Sequence, residues 1–367
     1  MVRELIGCII LPSGAEWQRL YLRTLRIDRD GSTLYDRGGL LLKLAIDSLF
    51  FVRLFSLLLL CTFAVESQSP EIEPKRTFTH ERTVYYPVWN EVPRWEAGLL
   101  IGYLGNSSKG PFIYTIDREG RRDDTLFTLD PPAGIRIENY GAAVSPSGEI
   151  AVIGTAYTSP LTAFVARIAP DHKHQIVTGV WPYRPMAVTF APDGTLWTVG
   201  YLTDEDNTRV IAYSVLRRFD ASGNLLSSVN LRVTSRAGIT YLRASRDRVG
   251  WFTEKNEYIE FSLDGSELAR YEGPPGIYEG PPGNDRYQLT GMALSDVGEV
   301  IATRLSVKQR QGVQDKSEIL LLDRNARKWI PVALSTGMPE WAQALGFDGT
   351  TLVISSHHGE VSFFETK

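Results

Sequence analysis

Met186-Ala-Val-Thr-Phe-Ala-Pro-Asp-Gly-Thr-Leu-Trp-Thr-Val-Gly200 sets two apolar, alternating runs on either side of a Pro-Asp-Gly turn. Alternation with period two is the pattern of a β-strand. In the turn, Pro pre-sets φ, Asp bonds nearby backbone amides and Gly accepts φ > 0. The stretch therefore reads as a tight β-hairpin. The same element recurs at Ala142-Ala-Val-Ser-Pro-Ser-Gly-Glu-Ile-Ala-Val-Ile-Gly154. Weaker copies are Tyr241-Leu-Arg-Ala-Ser-Arg-Asp-Arg-Val-Gly-Trp-Phe252, Met292-Ala-Leu-Ser-Asp-Val-Gly-Glu-Val-Ile-Ala302 and Ala344-Leu-Gly-Phe-Asp-Gly-Thr-Thr-Leu-Val-Ile354. With Gly148, Gly194, Asp247, Gly298 and Gly349 as turn positions, the spacings are 46, 53, 51 and 51 residues.

A second hairpin falls between successive copies of the first. Its turns follow Ile113-Tyr-Thr-Ile-Asp117, Val165-Ala-Arg-Ile-Ala-Pro-Asp171, Leu216-Arg-Arg-Phe-Asp220, Tyr258-Ile-Glu-Phe-Ser-Leu-Asp264 and Ile319-Leu-Leu-Leu-Asp323. Two hairpins per repeat make four strands, and a four-stranded repeat of about fifty residues is a propeller blade. The expectation is an all-β chain: a six-bladed β-propeller of four-stranded antiparallel blades, near 98–130, 140–180, 186–232, 239–272, 290–334 and 343–367. The last blade has three visible strands, and Arg76–Tyr86 can supply the fourth, joining both ends of the domain and removing exposed sheet edges. Seven blades, with residues 76–97 in another blade, is the alternative. Each blade buries its faces on its neighbours, so residues 68–367 read as one domain.

Composition agrees: 43% hydrophobic and 22% charged residues, with 32 Gly and 20 Pro, describe a turn-rich globular protein. A net charge of −4 gives no electrostatic footprint for nucleic acid. Both cysteines, Cys8 and Cys61, precede residue 68, so the body has no disulfide, thiolate metal site or cysteine nucleophile.

Residues 1–67 form a leader outside the domain. Leu54–Val65 is an apolar run of twelve residues, shorter than the roughly 20 a membrane span needs. With Arg53 before it, and Val65 and Ser67 placed for cleavage ahead of Gln68, it has the form of a signal peptide over about 52–67. Its internal position implies a true translation start near Val52. The expected location is secreted or periplasmic in a bacterium, with no membrane span after removal of the leader. An uncleaved signal anchor tethering the protein to a membrane is the alternative. Leu60 before Cys61 argues against a lipoprotein.

Arg184-Pro-Met-Ala-Val-Thr-Phe-Ala-Pro-Asp-Gly-Thr-Leu-Trp-Thr-Val-Gly200 resembles blades of the NHL-repeat and gluconolactonase/regucalcin-type six-bladed propellers. The resemblance implies the architecture after residue 98 and no single activity. Lactonase-like members bind a divalent cation through a Glu and an Asn/Asp set. Tyr85, in Tyr85-Tyr-Pro-Val-Trp89, stands where their Glu would be, and Met186 where their Asn would be. Without those oxygen ligands, metal-dependent lactone hydrolysis is not expected.

His172, His174, His357 and His358 fall in turns and His80 on the closing strand, where solvated histidines are the ordinary reading. No Gly-x-Ser-x-Gly, Walker-type or His-Glu-x-x-His motif occurs, and no cofactor is expected. The segments feeding each inner strand should cluster at one mouth of the central channel. They carry Arg136 and Tyr140, Trp181 and Arg184, Arg236, Arg286 and Tyr287, and Glu340 and Trp341. Arginine with aromatics is the mixture enriched in binding hot spots. These residues are the candidate ligand site, unless the aromatics pack between blades and the arginines pair with acids. A tandem Glu272-Gly-Pro-Pro-Gly276 and Glu279-Gly-Pro-Pro-Gly283 forms a loop that is either a rim to that mouth or a passive surface loop. The expectation is a monomeric, non-catalytic binding module for a protein, peptide or small anionic ligand. The alternative is an exported hydrolase or lyase using channel carboxylates or histidines.

Overall fold

Alternating strands joined by tight turns need partners on both edges, and the computed structural model supplies them in chain order. It describes residues 76–85, 94–104, 112–123, 136–158, 161–233, 241–253, 255–275, 286–307, 316–356 and 359–366, all within the unit Ile72–Lys367. The leader, residues 124–135, Arg236, the second Pro-Pro loop, His357 and His358 lie outside the described residues, as does the side chain of Arg286. Among the described residues no helix is long and apolar enough to cross a membrane.

Four sheets are antiparallel and four-stranded, each taken from consecutive strands. The first holds β2 (Arg94–Glu96), β3 (Leu99–Leu104), β4 (Phe112–Asp117) and β5 (Arg122–Asp123). The second holds β6 (Arg136–Val144), β7 (Ile150–Tyr157), β8 (Thr162–Ile168) and β9 (Gln175–Gly179). The third holds β10 (Tyr183–Phe190), β11 (Leu196–Thr203), β12 (Val210–Phe219) and β13 (Leu225–Val233). The fourth holds β14 (Tyr241–Ala244), β15 (Arg248–Phe252), β16 (Glu257–Ser262) and β17 (Glu267–Glu272).

A fifth sheet has eight strands. It begins with β18 (Arg286–Leu294), β19 (Val300–Val307), β20 (Lys316–Asp323) and β21 (Lys328–Leu334). It continues through β1 (Thr77–Tyr85), β24 (Glu360–Thr366), β23 (Thr351–Ser355) and β22 (Gln343–Phe347). The β1–β24 pairing is antiparallel from Phe78↔Thr366 to Tyr85↔Glu360. The β1–β21 step is parallel and covers only Thr77↔Ala333 and Phe78↔Leu334.

First strands adjoin one another in the cyclic order β2, β6, β10, β14, β18, β22 and back to β2. The sheets thus radiate from a common axis, the arrangement of a β-propeller. Apolar side chains fill the space between successive sheets. Trp197 of β11 and Trp251 of β15 share one cluster, and Leu100 and Tyr114 meet Leu345, Val353 and Phe363 in the cluster joining the first sheet to the last. Sandwiched sheets bury both faces of their inner strands, which is why β7, Ile-Ala-Val-Ile-Gly-Thr-Ala-Tyr, is buried over its first six residues. The outer strand β9 is largely exposed.

First strands begin three or four residues earlier than the alternation indicates, at Arg136, Tyr183 and Arg286 instead of about 140, 186 and 290. The cause is a bulge repeated around the ring. Tyr140, Met186, Thr290 and Leu345 are the extra residues, left between Asn139 and Gly141, Pro185 and Ala187, Leu289 and Gly291, and Ala344 and Gly346. A bulge reverses which residues face the core, so the periodicity breaks there. The bulged backbone also crowds the next strand. A Cβ on Gly200 would collide with the Arg184 carbonyl and lie 2.8 Å from the Pro185 Cα.

Turns between third and fourth strands repeat an Asp device. Asp220 accepts the Ser222 and Asn224 amides, both at 2.8 Å, and Asp171 accepts those of Lys173 at 2.9 Å and His174 at 3.2 Å. The Lys173 amide, with the His174 ring and amide, holds the Asp171 carboxyl down to about 2. The Asn224 side chain and amide lower Asp220, and Ser262 and Ser266 lower Asp264.

Gly200→Ala should destabilise the protein by about 2–3 kcal/mol, since the collision is with backbone, whereas Gly179→Ala, with nothing nearer than 3.8 Å, should be near neutral. Equal denaturation midpoints for the two variants would contradict the bulge argument. The aspartates fix the acid response. Their folded pKa values lie below the unfolded value of about 3.9, so the stabilisation is complete above that pH and lost as pH falls through the folded values. Calorimetry should show the melting temperature falling from about pH 4 towards 2, with a shallower fall in Asp220→Ala. An unchanged melting temperature across that range would remove these turns from the stability account.

Candidate functional site

The described residues that sequence reasoning assigns to one mouth lie at or just before the N-terminal ends of first strands. There the two arginines whose side chains are described, Arg136 and Arg184, contact aromatics of their own repeat. Arg136, at the start of β6, lies 4.9 Å from the ring centroid of Tyr157. The Tyr157 hydroxyl donates to Glu138, and that bond, with burial, pushes the phenol up to about 12. Arg184 lies 5.5 Å from the Trp181 ring and donates to the Tyr201 hydroxyl at 3.4 Å. Tyr140 and Trp181 are partly buried against the core between the second and third sheets.

Arg304, which the sequence did not single out, stacks 4.0 Å over Tyr287 and donates to Glu318 at 2.8 and 2.6 Å. Glu340 and Trp341 are exposed just before β22, with Trp341 at φ +54°. His174 is exposed in its turn with its ring 2.6 Å from Asp171. His80 lies on β1, 2.9 Å from the Thr83 hydroxyl and edge-on to Phe364. Tyr85 ends β1, a strand paired outside β24 and away from β22, and is 61% exposed. It therefore lies away from the first strands that line the channel. Met186 is a bulge residue of β10, 39% exposed.

At the opposite end, the C-terminal ends of the first strands and the turns that follow them enclose a cavity of about 460 Å³. Every sheet contributes to its lining, with Trp95, Val144, Phe190, Arg243, Leu294 and Phe347 as representative walls. Glu96, Asp296, Asp348 and Arg118 add charge.

Arg94 of β2 crosses the axis. Its Nη1 donates to the Val188 carbonyl of β10 and lies 3.5 Å from the Ala142 carbonyl of β6. Its Nη2 donates to the Leu242 carbonyl of β14 at 3.0 Å and pairs with Glu96. The second Glu96 oxygen accepts the Val144 amide at 3.2 Å. Asp348 is held by its own turn, accepting the Thr350 amide at 2.8 Å and that of Thr351 at 2.6 Å. Arg118 pairs with Glu81 and with Glu365, the latter at 2.8 Å.

Arg243 differs from these. It is 6% exposed and forms no ion pair among the described residues; its Nη1 donates to the Leu242 carbonyl at 3.0 Å, and its Nε, like that of Arg94, is buried with no hydrogen-bond partner. Burial and the nearby Arg94 charge pull its guanidinium down to about 9, with Glu96 acting in the opposite sense. Arg94 and Arg243, both buried, therefore face one committed carboxylate, Glu96, while Asp296 and Asp348, which line the same cavity, are exposed.

Arg94 and Arg243 were missed because their importance is not local. A signal for Arg243 exists in the repeat. Its place, two residues before the residue whose amide closes the turn at Ser245, is held by Ala143, Thr189, Ala293 and Gly346 in the other copies. One arginine against four small residues at the channel is an exception visible once the repeats are aligned.

By sequence, neither a protein family nor a curated protein matches the chain. The solved structures similar to this chain include three of low identity. BamB from Moraxella catarrhalis has 9% identity and a TM-score of 0.41, over 78% of this chain and 99% of that one. The β-propeller domain of Cps50 (Swd1) from Myceliophteria thermophila has 10% identity and a TM-score of 0.47, over 79% and 100%. A protein of unknown function from Bacteroides caccae has 13% identity and a TM-score of 0.36, over 74% and 94%.

Proposed function

We propose that the chain is an exported, six-bladed, non-catalytic propeller that binds its ligand in the axial cavity ringed by the C-terminal ends of the first strands. The blade number rests on six first strands following one another around the axis. It rests also on the two-residue β21–β1 step, which divides the eight-stranded sheet into two four-stranded blades. Export rests on the sequence of residues 52–67.

The observation that carries the binding role is the cavity itself. About 460 Å³ lies within the range of small-molecule sites. Its walls come from every sheet, so one ligand can touch the whole ring. Its side chains favour holding over reacting. Of the three carboxylates that line it, two are held for structure, Glu96 by Arg94 and the Val144 amide and Asp348 by its turn. Among the described residues no three His, Cys, Asp or Glu side chains group as metal ligands would. The seat lies at the end of the channel opposite Trp341 and opposite Arg136 and Arg184, which stack on Tyr157 and Trp181.

Ligand screening by thermal shift, followed by calorimetry, tests the seat. A compound that stabilises the protein should lose its effect in Ala244→Trp, which fills the cavity, and keep it in Arg184→Ala and Trp341→Ala. The reverse pattern would move the ligand to the other mouth, and release of a chemically altered ligand would make the protein an enzyme. For export, N-terminal sequencing of protein from culture medium or periplasm should begin at Gln68. Material retained in membranes with residues 54–65 intact would replace export with anchoring.

A further inference from the structure

We infer that Arg243 is the anchor of a carboxylate site, and that the ligand of the axial cavity is a small monocarboxylate with an apolar body. This rests on the binding role proposed above and names its ligand class. A guanidinium carries five N–H donors in a planar fork and stays charged. Arg94 spends its fork on the Val188 and Leu242 carbonyls and on Glu96. Among the described residues Arg243 donates to Leu242 alone, a carbonyl it shares with Arg94, and its Nε, like that of Arg94, is buried without a partner. Among the described residues no acid forms an ion pair with it.

Buried charge is ordinarily paired, and native structures leave few buried donors unmade. An oxyanion entering the cavity would pair the Arg243 charge. A carboxylate suits the fork best, because its two oxygens match parallel N–H donors. The other walls select the rest of the ligand. Trp95, Val144, Leu294 and Phe347 favour an apolar body. Asp296 and Asp348 line the same cavity and disfavour a second negative charge. The arrangement therefore fits a single carboxylate, not a phosphate dianion or a dicarboxylate.

Purified protein should be titrated with benzoate, acetate and a tripeptide with a free C-terminus, beside benzamide, benzylammonium and succinate, by calorimetry and thermal shift. At least one monocarboxylate should bind saturably, with benzamide and succinate at least tenfold weaker than benzoate. Arg243→Met should weaken that binding tenfold or more, and Arg243→Lys by less. Without ligand, Arg243→Met should melt no lower than the parent, because replacing an unpaired buried cation with an apolar side chain removes a desolvation cost. If Arg243→Met does not fold, Arg243→Lys and the comparison of benzoate with benzamide carry the test. Absence of binding by every monocarboxylate, equal binding of benzoate and benzamide, or an unchanged Kd in Arg243→Met would overturn the inference. Binding of benzamide or benzylammonium that Ala244→Trp abolishes would leave the cavity's binding role standing while removing the carboxylate.

Discussion

A ring of sheets is stable only if its first and last members meet, and here that condition falls on β1. Strand β24 ends the chain with an edge that would otherwise expose a row of unpaired backbone groups, a template for association. Strand β1 covers that edge from Phe78 to Tyr85. Phe78, fully buried, meets Phe347 edge-on at 5.8 Å, while Arg76 donates to Glu299 at 3.0 Å and to the Gly349 carbonyl at 3.2 Å. The N-terminal strand thus bonds to β24 and to β21 at once. Because the partners lie at opposite ends of the domain, the pairing is among the most non-local in the chain. Contacts of that kind form late and slow folding.

The two ends of the channel differ because their charges are balanced differently. At the end where first strands begin, arginines stack on aromatics of their own sheet, contacts worth about 0.5–1 kcal/mol each when exposed. At the other end Arg94 and Arg243 are buried, and Glu96 beside them is occupied by Arg94 and the Val144 amide. Burial and pairing, more than residue type, set the two groups of arginines apart.

Much of this architecture was legible from short-range pattern. The turns at Gly148, Gly194, Gly298 and Gly349 adopt positive φ as their glycines imply, and the Asp of each intervening hairpin marks a real turn. Segment Arg76–Tyr86 was recognisable as a strand seeking a partner. The bulges at Tyr140, Met186, Thr290 and Leu345 were not, because an extra residue shifts the alternation that reveals a strand. The site was less legible still. Arg136, Arg184 and Trp341 attract notice as exposed types in loops, whereas Arg94 opens the three-residue strand β2 and Arg243 sits inside the short β14. Their roles depend on carbonyls and charges brought from elsewhere in the chain by ring closure.

Arg94 has a consequence for what the ring can do. Its side chain starts on β2 and reaches carbonyls on β10 and β14, strands that are not neighbours of β2 around the axis. It acts as a crossbar: the channel cannot widen without breaking those bonds, and it is obstructed where they lie. Three of the first strands are therefore tied to one another by a single side chain, so that a change at one is felt at the other two.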